Sequence, residues 1–340
     1  MKHRTQNLTS LAMQWIDGEL YLLDQQQLPH AEVVLHIQTL EQMIAAIKDL
    51  AVRGAPAIGV SAGLFLAKLA AMNLSYTELK KSAIALNDAR PTAVNLMWAM
   101  NRLILKVDEQ NFKREDLIAE AFKIFHEDGE LCEKMANNGA PLIADGEGIL
   151  THCNTGGLAT AGIGTAFGVI RKAWQSGKKI HVYVDETRPL LQGGRLTAWE
   201  CEKLNIPYTL ICDNMAASLM AQGKIQRVFV GSDRVAANGD FANKIGTYSA
   251  AVCASYHKIP FHPVAPYSTI DPHCPSGREI PIEQRAANEV RGVKENIWAP
   301  LAAPTYNPAF DITPVDLVTS FVFDHGVFNR EDLRSAKHIL

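Results

Sequence analysis

Hydrophobic periodicity changes near residue 140, and this change restricts the fold more than any other feature of the sequence. Before it, apart from a strand-like start, apolar residues recur at spacings of three and four, which indicates amphipathic helices. After it, short apolar runs alternate with segments of helical length. Such alternation is typical of a parallel sheet with helices on both faces. The sequence therefore predicts an α/β protein with two domains, residues 1–140 and residues 141–340.

The predicted first domain is a small antiparallel meander followed by helices. Asp17-Gly18, between two short apolar runs, is a strong signal for a two-residue hairpin turn. The predicted strands are 12–16, 19–23 and 32–37, and the predicted helices are 40–50, 57–72, 77–88, 93–107 and 114–138.

The predicted second domain is built on a parallel sheet. Because ligands bind beyond the carboxyl ends of parallel strands, the residues after each strand are the first candidates for function. Residues 268–281, rich in Pro, Gly and Ser, are predicted to form a long loop, and such loops are often functional. The predicted strands are 148–152, 180–184, 208–212, 228–231, 261–265 and 317–323, and the predicted helices are 159–175, 243–257 and 330–338.

Composition argues against several classes of protein. The 340 residues include 33 basic and 36 acidic side chains, with a net charge of -3, so neither nucleic acid nor an anionic membrane is indicated as a partner. No apolar run is long enough to span a bilayer, and the start lacks the apolar core of a secretory signal, which predicts a cytoplasmic location. The six cysteines form no C-x-x-C pair and are expected to be reduced.

A cysteine follows the first strand of the predicted parallel sheet, in the segment THCNTGG. Cys153 thus lies at a strand end before a glycine-rich turn, where backbone N–H groups and a helix N-terminus can bind an anion or activate a thiol. A packing cysteine is the alternative. The glycines do not form the G-x-G-x-x-G pattern of a dinucleotide site, so a nicotinamide cofactor is weakly supported.

An acid follows the strand near residue 230, in the segment GSDR. At this strand end Asp233 is well positioned for general acid or base chemistry. The alternative is that it caps a helix or forms a salt bridge to Arg234. Asn243 and Lys244 are predicted to begin the next helix. Lys244 near the positive end of that helix would suit a phosphate or an oxyanion.

Polar side chains of several types follow the strand 180–184, in the segments DETRP and QGGR. A solvated turn with a helix cap explains Asp185 and Glu186 equally well. Arg188 and Gln192 are stronger candidates for function.

Two arginines of the first domain precede turns that contain proline, Arg53 in RGAPAIG and Arg90 in RPTAVN. Pro56 at a helix start leaves the preceding N–H groups free to donate, and an arginine beside such a turn can bind an anion. Thr92 is a possible cap in the second turn. A single arginine is more often a surface residue, but two in equivalent settings favour an anion site.

Metal and serine-hydrolase chemistry are poorly supported. His152-Cys153 and His273-Cys274 are adjacent pairs, which do not have the spacing of metal-ligand sets. No G-x-S-x-G segment occurs. The sequence therefore predicts neither a metal nor a cofactor.

Seven segments, in order along the chain, together resemble the methylthioribose-1-phosphate isomerases. The wider superfamily includes ribose-1,5-bisphosphate isomerases and the regulatory subunits of a translation-initiation exchange factor. Those subunits generally lack the complete cysteine and aspartate constellation, which is present here as Cys153 and Asp233. The segments are RGAPAIGVSAG, RPTAVNLMWAM, LTHCNTGGLATAGIGTAFGVI, DETRPLLQGGRLTAWE, DNMAASLM, GSDRVAANGDFANKIGTYS and YNPAFDITP.

The resemblance implies a cofactor-free isomerase that converts 5-methylthioribose 1-phosphate to 5-methylthioribulose 1-phosphate in methionine salvage. Asp233 would be the proton donor, a role that burial away from water would favour, and Cys153 the catalytic thiol. A small N-terminal domain on a Rossmann-like domain, and a homodimer, are also implied. The substrate contacts implied by the motifs are Arg53, Gly54, Ala55, Arg90, Gln192, Asn243 and Lys244.

Two alternatives to this function stay open from the sequence. Other substrates, 5-deoxyribose 1-phosphate or ribose 1,5-bisphosphate, would be distinguished by the pocket that faces C5. The apolar region of Val60, Ala93 and Met97 is one candidate for its lining. A regulatory subunit that binds a sugar phosphate or a nucleotide without converting it is the alternative from another class.

Overall fold

The computed structural model describes residues 6–91 and 93–334, which form two compact units. The first unit contains the chain up to Cys132 together with Gly156–Gly164. The second contains Glu133–Thr155 and the chain from Thr165 onward. The division into domains at residue 140 stays a prediction.

The first unit begins with an antiparallel meander in which neighbouring strands along the chain pair. Asp17 and Gly18 both have positive φ, 52° and 88°, which a type I′ hairpin turn requires. The three predicted strands are confirmed, and a short one precedes them. The strands are β1 (Leu8–Thr9), β2 (Met13–Ile16), β3 (Glu19–Leu23) and β4 (Val34–Ile37).

The predicted helices of the first unit are confirmed, with one change. Residues 93–107 form a regular helix only to Met100, and Asn101–Leu105 continue as a π-helical turn. The helices are α1 (Leu40–Lys48), α2 (Ala55–Ala71), α3 (Tyr76–Ala89), α4 (Val94–Met100) and α5 (Arg114–Gly139), the last of which continues into the second unit.

Helix α2 is the central element of the first unit. Every residue from Ala57 to Ala70 is buried, which explains its almost continuous run of small and apolar residues. At Gly59 an added Cβ would lie 2.7 Å from the carbonyl oxygen of Asn95, so α2 and α4 are in close contact there.

The second unit contains the predicted sheet with its helices. Its strands are β5 (Gly148–Thr151), β6 (His181–Asp185), β7 (Tyr208–Ile211), β8 (Arg227–Gly231), β9 (Arg234–Ala236), β10 (Phe241–Lys244), β11 (Phe261–Val264), β12 (Ile270–Asp271), β13 (Gly292–Val293), β14 (Asn296–Ile297), β15 (Phe310–Thr313), β16 (Ser320–Phe323) and β17 (Gly326–Asn329). Its helices are α6 (Ala166–Gln175), α7 (Ala198–Lys203), α8 (Ala216–Ala221), α9 (Thr247–Tyr256), α10 (Ala287–Arg291) and α11 (Arg330–Arg334).

The main sheet has the strand order β17-β16-β11-β8-β5-β6-β7. Its strands pair in parallel except for β16 and β17. The chain moves outward from β5 through β6 to β7, then returns to β8 and moves outward on the other side. The order therefore reverses between β5 and β8, and ligands of doubly wound sheets bind at such a switch point.

A second sheet, which the sequence did not predict, has the order β12-β9-β10-β15. It covers a small buried cluster of Ala236, Ala242, Cys274 and Ile280. Part of the predicted loop 268–281 belongs to this sheet, because β12 pairs with β9. This sheet positions the chain just after β8.

Two predicted helices begin later than expected. Helix α6 begins at Ala166 and not at residue 159, because Gly156–Gly164 belongs to the first unit. Helix α9 begins at Thr247 and not at residue 243, because Phe241–Lys244 pair with β15 and Gly246 has a φ of 105°. Of the predicted helix 330–338, residues 335–338 lie outside the described residues.

Candidate active site at the strand ends

Cys153 lies just beyond β5 in a backbone conformation that residues other than glycine seldom adopt, with a φ of 63°. Its N–H donates to Oγ1 of Thr187 at 2.8 Å, and its carbonyl accepts from Oγ1 of Thr197 at 2.6 Å. The residue is only 6% exposed. Two threonine hydroxyls thus hold the backbone of the predicted catalytic cysteine on both sides.

The turn after β6 is held by two acids. Oγ1 of Thr187 donates to Oδ1 of Asp185 at 2.9 Å. The two oxygens of Asp213 accept the backbone N–H groups of Thr187 at 2.6 Å and of Arg188 at 2.7 Å. Burial, together with the nearby charge of Asp185, raises the pKa of Asp213. For Asp185 the alternative of a solvated turn is wrong, because its side chain is buried among these partners.

Arg188, a candidate for function from the sequence, has a structural role here. Its guanidinium donates to the backbone carbonyls of Pro189, Glu289 and Val290. It also lies over the ring of Trp298, with 4.7 Å from Cζ to the ring centroid. These contacts tie the turn after β6 to the segment around α10.

Gln192 is 5% exposed, and its Oε1 finds no hydrogen-bond partner among the described residues. A buried acceptor without a partner costs about 1–3 kcal/mol, so such an atom is rare unless a ligand completes it. This observation favours a polar ligand at Gln192.

Replacing Gly193 by alanine is expected to lower the free energy of unfolding by about 3 kcal/mol. An added Cβ would lie 1.7 Å from the carbonyl oxygen of Asp185, so the turn after β6 would have to move. Gly194→Ala is the matched control, because its Cβ would come no closer than 3.7 Å to Glu186. Urea unfolding followed by circular dichroism measures both variants. Equal stabilities would contradict the close contact at Gly193.

The imidazole of His152 is buried next to Cys153, with both ring nitrogens in hydrogen bonds. Nδ1 lies 2.7 Å from Oδ2 of Asp185, and Nε2 lies 2.8 Å from the carbonyl oxygen of Ile245. Burial opposes a charged ring, but the carboxylate of Asp185 outweighs it and raises the pKa of His152 to about 10. Gly246 packs on this ring, since its added Cβ would lie 2.8 Å from Cε1.

Asp233 lies two residues after β8, and its N–H donates to the carbonyl of Ala242 at 2.9 Å. Its side chain is exposed, so the structure does not supply the burial that would favour its protonated form. Nη1 of Arg234 lies 3.7 Å from Oδ2 of Asp271. Gly231, at the end of β8, lies against Thr155. A Cβ added at Gly231 would be 2.9 Å from Cγ2 of the threonine.

Asn243 and Lys244 lie at the end of β10, so the prediction that they begin a helix is wrong. Asn243 is buried and donates to Oγ1 of Thr247 at 2.9 Å. Lys244 donates to the carbonyl of Ala309 at 2.8 Å. The side-chain oxygen of Asn243 would lie 3.5 Å from an added Cβ at Gly231, so the ends of β8 and β10 meet.

The N-terminus of α9 is capped by an acid that the sequence did not single out. The carboxylate of Asp311 accepts the N–H groups of Gly246 at 2.7 Å and of Tyr248 at 3.1 Å. Burial raises the pKa of Asp311. Because Asp311 occupies these donors, the anion site predicted at this helix end is not available as proposed.

The predicted residues of the first unit lie at two helix termini of opposite polarity. Gly54 is the N-cap of α2 with a φ of 90°, and its added Cβ would lie 2.6 Å from Cα of Ala159. Arg53 therefore precedes the N-terminus of α2, and Ala55 is the first residue of that helix. Arg90 instead caps the C-terminus of α3. The two arginines are not in equivalent settings, and that part of the argument is wrong.

Two further expectations concern the neighbourhood of Arg90. Thr92 lies outside the described residues, and Ala93 is the N-cap of α4. Val60 is 3% exposed within the core, so it does not line an open pocket, whereas Met97 is 42% exposed.

His152, Asp185 and Asp213 lie close enough to suggest a metal site, with one candidate ligand atom from each within 4.8 Å of the others. Both ring nitrogens of His152 already face acceptors, and both oxygens of Asp213 accept backbone N–H groups. A ring nitrogen that donates its hydrogen to an acceptor has no lone pair for a metal. The cluster is therefore better described as a hydrogen-bond network.

Comparison with known proteins gives concordant matches. The model of the initiation factor 2 subunit family matches residues 51–330. Two bacterial proteins named methylthioribose-1-phosphate isomerase are each 54% identical to this chain. The one from Yersinia enterocolitica aligns over 95% of this chain and 94% of its own length, and the one from Serratia proteamaculans over 96% of both.

Solved structures agree on the fold, which confirms the predicted α/β class. The 5-methylthioribose 1-phosphate isomerase from Pyrococcus horikoshii superposes with a TM-score of 0.91 at 40% identity, over 100% of this chain and 98% of its own. The delta subunit of translation initiation factor eIF-2B from A. fulgidus superposes with a TM-score of 0.84 at 38% identity, over 96% and 100%.

Proposed function

This chain belongs to the family of methylthioribose-1-phosphate isomerases, and we propose that it converts 5-methylthioribose 1-phosphate to 5-methylthioribulose 1-phosphate in methionine salvage. The isomerase class rests on 54% identity to proteins of that name over nearly the whole chain. The catalytic residues and the substrate contacts are the parts that we propose.

One observation carries the assignment of the catalytic pair. Cys153 and Asp233 follow β5 and β8, which are neighbouring parallel strands of the main sheet. The strand order reverses between these two strands. Residues beyond the carboxyl ends of both strands therefore border the crevice in which a doubly wound sheet binds its ligand.

The chemistry requires an acid because phosphate occupies the anomeric oxygen of the substrate. The sugar ring cannot open by the ordinary hemiacetal route. A proton must be delivered to the ring oxygen as its bond to C1 breaks, and we assign Asp233 to that step. Since Asp233 is exposed, we expect the bound sugar itself to exclude water from the carboxyl group and favour its protonated form.

After ring opening, hydrogen must move from C2 to C1. Either the thiolate of Cys153 removes the C2 proton, which leaves an enol phosphate that is then protonated at C1, or a hydride shifts from C2 to C1 while Cys153 shapes the site. In both routes the C2 hydroxyl loses its proton as the ketone forms, which offsets the proton delivered to the ring oxygen. Reaction in heavy water separates the two routes. Deuterium at C1 of the product supports proton transfer, and its absence favours the hydride shift or a base shielded from solvent.

The substrate contacts are assigned on the motif resemblance. In the second unit, the unpartnered Oε1 of Gln192 supports a hydrogen bond to a sugar hydroxyl. The positive charge of Lys244 would offset the negative charge of the phosphate. The remaining assigned contacts are Asn243 in the second unit and Arg53, Gly54, Ala55 and Arg90 in the first.

The function is tested by incubating the purified protein with 5-methylthioribose 1-phosphate, 5-deoxyribose 1-phosphate and ribose 1,5-bisphosphate, and measuring ketose formation. We expect the highest kcat/KM with the methylthio sugar. A preference for either other sugar would overturn the substrate assignment. Binding without turnover of all three would instead favour a regulatory subunit, which the similarity to an eIF-2B delta subunit makes worth testing.

We also propose that the protein is a cytoplasmic homodimer that binds neither nucleic acid nor a membrane. Three side chains on one face of α9, Tyr248, Val252 and Tyr256, are 45%, 41% and 82% exposed, and such a stripe favours a protein contact. No helix of the described residues is long and apolar enough to cross a membrane. Light scattering during size-exclusion chromatography tests the dimer, and a monomeric mass would contradict it.

A further inference from the structure

The hydrogen bonds of His152 restrict its protonation state. The carbonyl oxygen of Ile245, 2.8 Å from Nε2, can only accept, so Nε2 carries a hydrogen. Oδ2 of Asp185 lies 2.7 Å from Nδ1, while Oδ1 accepts from the hydroxyl of Thr187. As a carboxylate, Asp185 can only accept at both oxygens, and Nδ1 then carries a hydrogen as well.

A ring with hydrogens on both nitrogens is an imidazolium. The acidic groups near it fit this state. Asp185 and Asp213 are acids on the β6 and β7 strand ends, Asp311 is an acid on β15, and Cys153 is its neighbour in the chain. Three acids around one buried ring stabilise the cation, which compensates for its loss of water.

The ring also joins three parts of the second unit. His152 follows β5 directly, its Nδ1 holds the end of β6, and its Nε2 holds the turn between Lys244 and α9. Gly246 packs on the ring so closely that a side chain there would overlap Cε1. Displacement of this ring would move the strand end that carries Cys153 relative to the turn that carries Lys244.

We propose that His152 is a positioning residue of the isomerase site, a doubly donating imidazolium that fixes the end of β5 with Cys153 against the end of β6 and the turn after Lys244. This role rests on the function proposed above. His152 itself needs no contact with the substrate. Its effect on catalysis is geometric, because misplacing a reacting group by about 1 Å can cost about 100-fold in rate.

The protein offers a matched control in His262. This ring is 2% exposed, also lies in the main sheet, and stacks on Phe229. Its Nε2 lies 3.1 Å from the guanidinium of Arg227, which can only donate, so His262 is neutral. Burial lowers the pKa of His262 to about 4. Its ring contacts Arg227, the first residue of β8, and Ser320, the first residue of β16, and neither is assigned to the isomerase site.

The first experiment is nitrogen-15 NMR of the native protein labelled on histidine, at about pH 8.5, where ordinary histidines are neutral. One ring is expected to show both nitrogens protonated, and its signals should be absent from the His152→Asn spectrum. A neutral ring at His152 would overturn the proposal. This measurement does not depend on turnover, so it separates a failure of this inference from a failure of the proposed function.

The second experiment compares kinetics of His152→Asn, His152→Gln and His262→Gln. Neither amide side chain can donate to both acceptors, so both His152 variants are expected to lose about 100-fold in kcat with a smaller change in KM. His262→Gln is expected to lose stability and keep its kcat per folded molecule. A His152 variant that folds with native kcat would overturn the proposal. If neither His152 variant folds, the NMR result on the native protein decides whether the proposal stands.

Discussion

Cys153→Ser is expected to lower kcat by at least about 100-fold, the lower end of what a positioned acid or base contributes, while the fold is preserved. Serine has nearly the shape of cysteine, and the backbone bonds of Cys153 to Thr187 and Thr197 do not involve the thiol. A hydroxyl ionises far less readily than a thiol, so at neutral pH serine supplies almost no anion to act as the base. Steady-state assays with 5-methylthioribose 1-phosphate, together with circular dichroism, measure both parts of this prediction.

Cys274→Ser is the matched control for this experiment. Cys274 is also 6% exposed and belongs to the same unit, but it packs beside β9 and not at the end of β5. Its kcat is expected to stay within about twofold of the native value. Loss of activity in both variants would point to a general intolerance of a buried hydroxyl and would contradict a specific role for Cys153.

Asp233→Asn is expected to lower kcat by about 1,000-fold, because an amide cannot deliver a proton to the ring oxygen. The side chain is exposed, and asparagine has nearly the same shape, so the change is expected to cost little stability. Because only the protonated carboxyl donates, kcat of the native protein is expected to fall as the pH rises. The residual activity of the variant should lack that dependence.

Asp271→Asn is the control for the charge change. Asp271 is a partly exposed acid on β12, in the same small sheet, with Arg234 3.7 Å away. The Asp271→Asn variant should retain nearly native kcat and the native pH profile. If Asp233→Asn behaved like Asp271→Asn, the acid would have to be assigned to another group.

Much of the main architecture was predictable because hydrophobic periodicity is local information. The strands at 148–152 and 228–231 could be recognised from short apolar runs, and their ends placed Cys153 and Asp233 at the edge of a parallel sheet. Asp213 could have been found by the same rule, since it follows β7 within two residues.

The second sheet was not predictable by the same means. Its strands have two to four residues, too few for a period to be recognised. β10 pairs with β15, and this pairing turned the predicted start of a helix at Asn243 and Lys244 into a strand end. The contact of Asp311 with the start of α9 also depends on it, because the register places Asp311 opposite Asn243.

The sequence by itself determined the α/β class, the strand ends that carry Cys153 and Asp233, and the family to which the chain belongs. Only the tertiary structure decided the surroundings of those residues: the exposure of Asp233, the two threonines that hold Cys153, and the partners of His152. The reason is physical. The acceptors of His152 lie 33 and 93 residues away along the chain, and no local pattern encodes contacts between residues so far apart.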